Sequence, residues 1–512
     1  MRPLLALLLA LAAVRGADRP PNVLLILADD LGYGDVHAYN PTRGKIPTPH
    51  LDKLAAEGLR FTDAHSSSGV CSPSRYALLT GRYHWRTRLQ SGIVGVFGEP
   101  LIAPDRLTIA ALAKRAGYRT AAIGKWHLGW DWPIAEADRA LFRGTKEGAA
   151  AAPEANRAAW AKVFGQKIPG GPTTRGFDQY FGTDVPNWPP YCFIENDRTV
   201  GIPTEFLPAE NFRKNLASLP GPALPGWQLE RILPTLTDRA CAFVTESSRG
   251  PAPWLLYLPL TTPHTPLAVN EAWKGQSGLE NAAADLIMET DAAVGRVLAA
   301  VAAAGAERDT LVIFASDNGF AAYAGAKELE AKGHFPSGPL RDYKTSVHEG
   351  GHRGPFLVRW PGKVAAGATN GQLVHHADVL ATLAEILRTA LPADAGEDSF
   401  SFLPLLKGVD APTRPHAVSC AAAGTPGLRV GSWKYIATEP AQLYDLATDL
   451  GETKNLAQQE TARLAEMKAL LEKLITEGRS TPGAVQKNDV KVVRFPKAGA
   501  PKAKAAPKTN PK

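Results

Sequence analysis

The stretch SSSGVCSPSRYALLTGR, residues 66–82, carries the most specific pattern in this 512-residue chain. Cys71, Pro73 and Arg75 form a C-x-P-x-R pattern, and the apolar residues that follow keep the spacing of a helix up to Gly81. We therefore predict a helix that begins near Cys71 and ends at the glycine. The start of such a helix has unpaired N–H groups and the positive end of the helix dipole. It therefore favours an anionic substrate and an anionic nucleophile. Arg75, one turn further on, is expected to point back at Cys71.

Four other stretches share one arrangement, an apolar run followed by polar residues. Unbroken apolar runs are typical of strands buried on both faces of a sheet. Ligands of open α/β sheets gather at the carboxyl ends of the strands, so we expect a site there. The runs are residues 23–28 before Asp29 and Asp30, 120–123 before Lys125 and His127, 254–258 before His264, and 311–314 before Asp317 and Asn318.

The oxygen-bearing residues of this set predict a cation site. Asp29, Asp30, Asp317 and Asn318 offer carboxylate and amide oxygens, which favour Ca2+ or Mg2+ over zinc. In isolation, the pair Asp29–Asp30 could instead be a helix cap followed by a turn.

Lys125 and His127 lie two residues apart in the block GKWHLG. In extended backbone, side chains two residues apart share one face, so a cation and an acid/base group would meet the same oxyanion. A lone lysine or histidine is more often a surface or core residue, and the surrounding block favours the functional interpretation.

The blocks CSPSRYALLTGR, GKWHLG at residues 124–129, SDNG at 316–319 and the aspartate pair together resemble the type I sulfatases, the formylglycine-dependent family of the alkaline phosphatase superfamily. The resemblance covers residues 22–474. It implies an alkaline-phosphatase-like α/β sandwich, in which helices flank a large mixed central sheet. A smaller C-terminal antiparallel sheet with one helix completes the expected fold.

The resemblance also implies a modified nucleophile. In this family the cysteine is oxidised to formylglycine, so Cys71 would become a hydrated aldehyde that attacks sulfur and also ligates the metal. A formylglycine-generating enzyme or an anaerobic sulfatase-maturating enzyme would then be a partner. Calcium is the family's usual ion, with Mg2+ as the alternative. The other interpretation of Cys71 is a buried structural cysteine.

The remaining catalytic roles follow from the same resemblance. Lys344 belongs to a segment similar to the family's K-x-x-x-x-E-G-G, and Lys125 and Lys344 would bind the sulfate. Arg75 would orient the nucleophile, and His264, with or without Lys344, would protonate the departing alcohol. His127 would take the proton from the second hydroxyl, so that the aldehyde reforms and sulfate leaves. For His348 and His352 we expect a structural role.

The substrate expectation depends on loops. Trp188, Tyr191 and Arg198 in NWPPYCFIENDR would suit stacking on a sugar and binding its hydroxyls, although aromatic residues packed under a long loop are the equal alternative. Three stretches, YNPTRGKIPTPHLD, GKWHLGWDW and PPYCFIENDR, look most like sulfatases of 6-sulfated galactose or N-acetylgalactosamine. A phosphatase or phosphonate monoester hydrolase of the same superfamily, or a non-catalytic glycan-binding homologue, remains as an alternative function.

Composition and termini complete the prediction. The formal net charge is +7, yet residues 487–512 hold seven Lys and one Arg against one Asp, so the folded part is about neutral and we expect no nucleic-acid partner. Residues 1–16 are typical of a secretory signal, which predicts export to a periplasm or the medium, and no later run is long enough to span a membrane. Besides Cys71, the cysteines Cys192, Cys241 and Cys420 allow at most one disulfide.

Four regions are therefore expected along the chain. Residues 1–16 form the signal peptide and residues 20–410 the catalytic domain. Residues 411–480 form the C-terminal α+β subdomain. Residues 481–512, rich in Pro, Ala and Lys, form a disordered basic tail.

Overall fold

The computed structural model describes residues 20–142, 154–212 and 217–493, so the predicted signal peptide lies outside the described residues. The strands are β1 (Asn22–Asp29), β2 (Leu59–Phe61), β3 (Ala64–His65), β4 (Arg119–Lys125), β5 (Gln179–Thr183), β6 (Ile194–Glu195), β7 (Arg198–Thr199), β8 (Glu205–Leu207), β9 (Gly221–Ala223), β10 (Trp254–Pro263), β11 (Thr310–Ser316), β12 (Phe356–Arg359), β13 (Ala368–Asn370), β14 (Val374–His375), β15 (Ala417–Cys420), β16 (Pro426–Val430), β17 (Trp433–Ile436) and β18 (Gln442–Asp445). The helices are α1 (Pro49–Ala56), α2 (Cys71–Thr80), α3 (Ile109–Arg115), α4 (Glu154–Phe164), α5 (Ile232–Ser248), α6 (Ala282–Ala303), α7 (Ala326–Ala331), α8 (Glu349–His352), α9 (Asp378–Ile386), α10 (Leu403–Leu406) and α11 (Thr461–Thr476).

The central sheet has ten strands in the order β13-β2-β12-β11-β1-β10-β4-β5-β6-β7. Its centre is parallel, because β1 runs parallel to both β10 and β11, and β4 runs parallel to β10 and β5. The strand β12 is antiparallel to β11 and β2, which makes the sheet mixed, as predicted. The carboxyl ends of β11, β1, β10 and β4 therefore lie side by side at one edge.

Strand β1 shows why the sheet is covered on both faces. All of its residues are buried, and successive side chains point to opposite faces. Leu25 packs in a core cluster with Leu79 of α2 and Leu380 of α9, whereas Leu24 packs with Leu236 of α5 and other residues on the opposite face. The predicted α/β sandwich is confirmed.

The C-terminal sheet is antiparallel in the order β15-β16-β17-β18, and α11 packs on it through Met467 and Leu471. This confirms the predicted small sheet with one helix. The sheet is also joined to the loop before Cys71: the Cys420 N–H donates to Ser67 O at 3.0 Å, and the Gly69 N–H donates to Cys420 O at 2.9 Å.

Residues 481–493 correct the predicted start of the disordered tail. Asp489 forms an ion pair with the buried Arg82 at 3.0 Å, and Asn488 Oδ1 accepts from Arg86 at 3.1 Å. Composition predicted disorder because this segment has few apolar residues, but polar contacts to two buried guanidinium groups hold it instead. The rest of the predicted tail lies outside the described residues.

All four cysteines are free thiols, so the possible disulfide is not formed. Cys192 and Cys420 are buried, and Cys241 is half-buried. Within the described ranges, no helix has both the length and the apolar character needed to cross a membrane.

Candidate active site

Helix α2 begins at Cys71 and ends at Thr80, with Gly81 as its C-cap, as the sequence predicts. Gly81 takes a left-handed conformation with φ of 65°, which a glycine adopts without steric cost. Cys71 is the first helical residue and is only 2% exposed. Its Sγ lies 3.5 Å from Asp29 Oδ1 and 3.7 Å from Lys344 Nζ.

The anionic character predicted for Cys71 is wrong for the unmodified thiol. Burial raises its pKa well above the ordinary value, the negative charge of Asp317 raises it further, and the nearby lysines only partly oppose this. The helix start is therefore outweighed by burial and by carboxylates, and the thiol itself is a poor nucleophile at neutral pH.

The paired aspartates leave β1 in an unusual way. Along a regular strand Asp29 and Asp30 would face opposite sides of the sheet, but Asp30 has φ of 67°. This left-handed residue turns its carboxylate into the same space. Asp29 Oδ2 accepts from Lys125 Nζ at 2.7 Å, and Asp30 Oδ2 accepts from Lys344 Nζ at 2.7 Å.

The end of β11 supplies the other two predicted oxygen ligands. Asp317 Oδ2 accepts from Arg75 at 2.7 Å, and Asn318 Nδ2 donates to Asp30 Oδ1 at 2.7 Å. Asn318 is 1% exposed, and its Oδ1 has no hydrogen-bond partner. A buried acceptor without a donor is rare and costly, and a bound cation would satisfy it.

The donor set therefore fits a divalent cation. Three carboxylates face three cationic side chains, Arg75, Lys125 and Lys344. Burial alone would raise the pKa of Asp29, but the charges of Lys125, His264 and Arg75 outweigh it and hold the pKa at about 2. Asp29, Asp30, Cys71 and His264 each present a ligand atom within 4.8 Å of the others, and carboxylate oxygens predominate in the whole set.

Arg75 lies between Asp29 and Asp317 rather than directly against the thiol. Its Nη2 is 3.3 Å from Asp29 Oδ1 and 2.7 Å from Asp317 Oδ2. Because the guanidinium is fully buried, it fixes two of the candidate ligands relative to Cys71.

The backbone conformation of His127 differs from the extended one that the sequence predicted. Strand β4 ends at Lys125, and His127 has φ of 53°, so the two residues do not share the face of an extended segment. The His127 N–H donates to Asp184 Oδ1 at 3.2 Å, and the ring Nε2 lies 3.1 Å from Val94 O. Asp184 anchors this turn and also accepts from Trp130 Nε1 at 3.2 Å.

The hydrogen bonds fix the tautomers of both candidate histidines. A carbonyl only accepts, so His127 carries its proton on Nε2 and leaves Nδ1, which is buried and has no partner, as a base. Burial and the positive charges of Lys125 and Arg75 hold the His127 pKa well below its usual value. In His264, Nδ1 donates to Thr265 O at 2.6 Å, and Nε2 lies 3.6 Å from Asp30 Oδ2.

The three predicted sugar contacts lie in different environments. Trp188 is half-buried and packs edge-on against the His127 ring, with centroids 5.5 Å apart. Tyr191 is 1% exposed, donates to Asn187 O and Leu219 O, and packs against Phe212, so it is a core residue and the stacking interpretation is wrong for it. Arg198 is exposed on the terminal strand β7 and donates to Gly165 O, away from the cluster.

A second acid–histidine group lies in the interior and comprises His65, Glu349 and His352. Glu349 Oε1 accepts from Lys434 Nζ at 2.9 Å, and Glu349 Oε2 accepts from Arg353 and Arg429. Cations thus already neutralise this group. It joins α8 to the C-terminal sheet, which supports the structural role predicted for His352. His348 pairs with Asp342 at 2.7 Å.

Asp184 is a residue that the sequence analysis missed. It directly follows β5, so the strand-end argument that located the other acidic residues also applies to it. The aromatic and glycine content of β5 obscured the apolar run.

Comparisons with known proteins agree with this geometry. A family model described as Sulfatase matches residues 21–389. The N-acetylgalactosamine-6-O-sulfatase of Bacteroides thetaiotaomicron is 30% identical over 90% of this chain and 94% of its own length. Human arylsulfatase A is 32% identical over 93% of each chain. A solved structure from work on the metabolism of multiple glycosaminoglycans by Bacteroides thetaiotaomicron has a TM-score of 0.76 at 30% identity, and the match covers 89% of this chain and 99% of that one.

Proposed function

Because this chain belongs to the sulfatase family and is a sulfuric ester hydrolase of sulfated carbohydrates, we propose that its substrate carries 6-sulfated galactose or N-acetylgalactosamine. Two relatives support the sugar and the position. Besides the bacterial N-acetylgalactosamine-6-O-sulfatase, the rat N-acetylgalactosamine-6-sulfatase is 30% identical over 79% of this chain and 68% of its own length.

The proposed sulfate position lies beside Cys71. Lys125 holds Asp29 and Lys344 holds Asp30, each at 2.7 Å, and Lys344 Nζ is 3.7 Å from Cys71 Sγ. Both ammonium groups are buried, so their attraction for a sulfate oxygen is screened little by water. On substrate binding, each lysine would share its donors between an aspartate and the sulfate.

Enzymes of this family generally use a formylglycine and a divalent metal, and we assign both to this cluster. Asp29, Asp30, Asp317 and Asn318 would hold the ion, and Ca2+ suits this oxygen-rich set best, with Mg2+ as the alternative. When present, the ion supplies positive charge to a sulfate oxygen, and the hydrated aldehyde formed from Cys71 supplies the attacking hydroxyl.

The two histidines provide proton transfer at defined atoms. With Nδ1 donating to Thr265 O, His264 turns Nε2 toward the site and toward Asp30. As the imidazolium, whose charge Asp30 stabilises, it would give its Nε2 proton to the departing alcohol oxygen and return to the neutral Nδ1–H tautomer. His127 keeps its proton on Nε2 and accepts another on Nδ1 from the residue 71 side chain. Arg75 keeps Asp29 and Asp317 in place throughout.

The observation that carries the proposal is the convergence of Cys71 at a helix start, Lys344 from a loop, and Lys125 and the oxygen cluster from the ends of three strands, β4, β1 and β11. The test is expression with a formylglycine-generating enzyme, followed by peptide mass analysis of residues 66–82. Sulfate release is then measured from 6-sulfated galactose, 6-sulfated N-acetylgalactosamine and an aryl sulfate. Release from the sugars supports the proposal, release from the aryl sulfate alone refutes the sugar assignment, and a fully converted inactive protein refutes the mechanism.

Each alternative function requires a feature that differs from those of a sulfatase. A two-metal phosphatase needs a second set of His and Asp ligands, yet the other acid–histidine group of the described chain is neutralised by Lys434, Arg353 and Arg429. A glycan-binding homologue without activity would keep Cys71 as a thiol, which the mass analysis detects.

The proposed cellular context follows from the termini. We propose export directed by residues 1–16, with conversion of Cys71 by a dedicated maturation enzyme. Residues 20–410 and 411–480 remain our proposed division into catalytic domain and C-terminal subdomain. Appearance of mature protein lacking residues 1–16 in an exported fraction tests the first of these proposals.

A further inference from the structure

Tyr323 is the single aromatic side chain in the described ranges that is exposed to solvent by more than about a third of its surface, at 55%. It follows Asn318 by five residues, in the short turn Ala322–Ala324 after β11. The remaining aromatic side chains of the described chain are buried or half-buried. A single exposed tyrosine is ordinary in itself, but this one lies in the turn that follows the proposed metal ligands Asp317 and Asn318.

The backbone that carries Tyr323 is fixed on both sides. Lys344 N–H donates to Phe320 O at 2.9 Å, and Asn281 Nδ2 donates to Ala324 O at 3.4 Å. Ala321 and Ala324, which flank the turn, are 2% and 8% exposed. The tyrosine therefore projects from a rigid support next to a proposed sulfate-binding lysine.

The hydroxyl of Tyr323 lies near the side chain of Thr265, the residue after His264. The charges of Lys344 and Asp30 act on this hydroxyl, which places it near the catalytic cluster. No aromatic or cationic group covers the ring among the described contacts. The hydroxyl thus lies close to the site while the side chain as a whole stays more than half exposed.

We propose that Tyr323 is a specificity-determining residue whose ring stacks on the sugar that carries the scissile sulfate. A pyranose presents a face of C–H groups that packs on the negative face of an aromatic ring. The ring is positioned before binding, so little conformational entropy is lost when the sugar arrives. Trp188, whose ring packs against His127, would be a second aromatic residue near the site. This inference rests on the proposed function.

The test compares Tyr323→Ala with Tyr323→Phe in the fully converted enzyme. Stacking is worth roughly 0.5–1.5 kcal/mol, so Tyr323→Ala is expected to raise KM for 6-sulfated N-acetylgalactosamine about three- to tenfold. Tyr323→Phe keeps the ring and should stay within about twofold of wild type. Inhibition by inorganic sulfate, which contacts only the proposed sulfate site, should be unchanged in both variants. Trp433→Ala, in the C-terminal sheet under Arg463, serves as the control for loss of an aromatic ring elsewhere.

Two results would overturn the inference. An unchanged KM for the sugar in Tyr323→Ala would show that the ring does not contact it, and an equal loss of inhibition by inorganic sulfate would show that Tyr323 acts on the sulfate site instead. A wild-type enzyme that releases no sulfate from any sugar is a separate outcome, because it refutes the proposed function before the variant is compared.

Discussion

The unpartnered oxygen of Asn318 allows a test of the metal site that does not depend on activity. In Asn318→Ala, the hydrogen bonds from Nδ2 to Asp30 and to Gly319 O are lost. The first costs about 1.5–3 kcal/mol because the acceptor is charged, and the second costs about 0.5–1.5 kcal/mol. The same change removes a buried acceptor without a donor, which contributes about 1–3 kcal/mol in the opposite direction. Without metal, these effects partly cancel, and the free energy of unfolding should fall by roughly 1 kcal/mol and by no more than about 3 kcal/mol.

Calcium should stabilise the wild-type protein more than Asn318→Ala. At a concentration 100 times the dissociation constant, a ligand that binds only the folded state stabilises it by about 2.7 kcal/mol. Wild type should gain this amount, whereas Asn318→Ala, with one ligand fewer, should gain less than about 1 kcal/mol at the same calcium concentration. The assay is denaturant unfolding in calcium and in a chelator.

The control for this experiment is Asn455→Ala. Asn455 lies in the C-terminal subdomain, where its Oδ1 accepts from the Leu443 N–H at 2.9 Å. This variant should be destabilised equally in calcium and in chelator. Equal calcium stabilisation of wild type and Asn318→Ala would refute the assignment of Asn318 as a ligand. A loss of more than about 3 kcal/mol in chelator would refute the cancellation.

Three further perturbations follow from the structure. Lys125→Met should lower kcat/KM for sulfate release about 100-fold or more, because a buried donor to the developing charge is lost, whereas the exposed Lys114→Met should leave it unchanged. Burial raises the pKa of Asp184 to about 6, so ionising it costs stability as pH rises from about 4 to about 6. Asp184→Asn should therefore melt above wild type at pH 8 and lose that advantage at pH 4. A chain that ends at Ser480 removes the Lys487 and Asp489 contacts of buried Arg82 and should lose about 2–4 kcal/mol of unfolding free energy in a denaturant titration.

The central part of the site could be predicted from the sequence because strand ends obey a simple rule. The apolar runs before Asp29 and Asp317 identify buried strands, and parallel neighbours must bring their carboxyl ends to one edge. The helix that starts at Cys71 could be predicted equally well, since its apolar periodicity and the glycine at position 81 indicate the same end point. At these strand ends and at this helix, the local sequence pattern and the tertiary packing favour the same backbone conformation.

Other parts depend on contacts that no local pattern contains. The positive φ of His127 results from its anchoring by Asp184, 57 residues later in the chain, so the alternation rule failed there. Tyr191 appears beside polar residues in the sequence but is covered by Phe212 and a loop. The segment after residue 480 is held by guanidinium groups of the distant Arg82 and Arg86, and composition does not encode such long-range partners.

The burial of Cys71 has a consequence for the order of events during biosynthesis. In the folded chain its side chain is almost fully enclosed, and the loop before it is held by the backbone of Cys420. An enzyme that oxidises Cys71 must reach its thiol, and the enclosed helix start, where Cys71 is only 2% exposed, blocks this access. The proposed conversion of Cys71 is therefore expected while the nascent chain is still open, before the last strands have been synthesised and have closed over the loop.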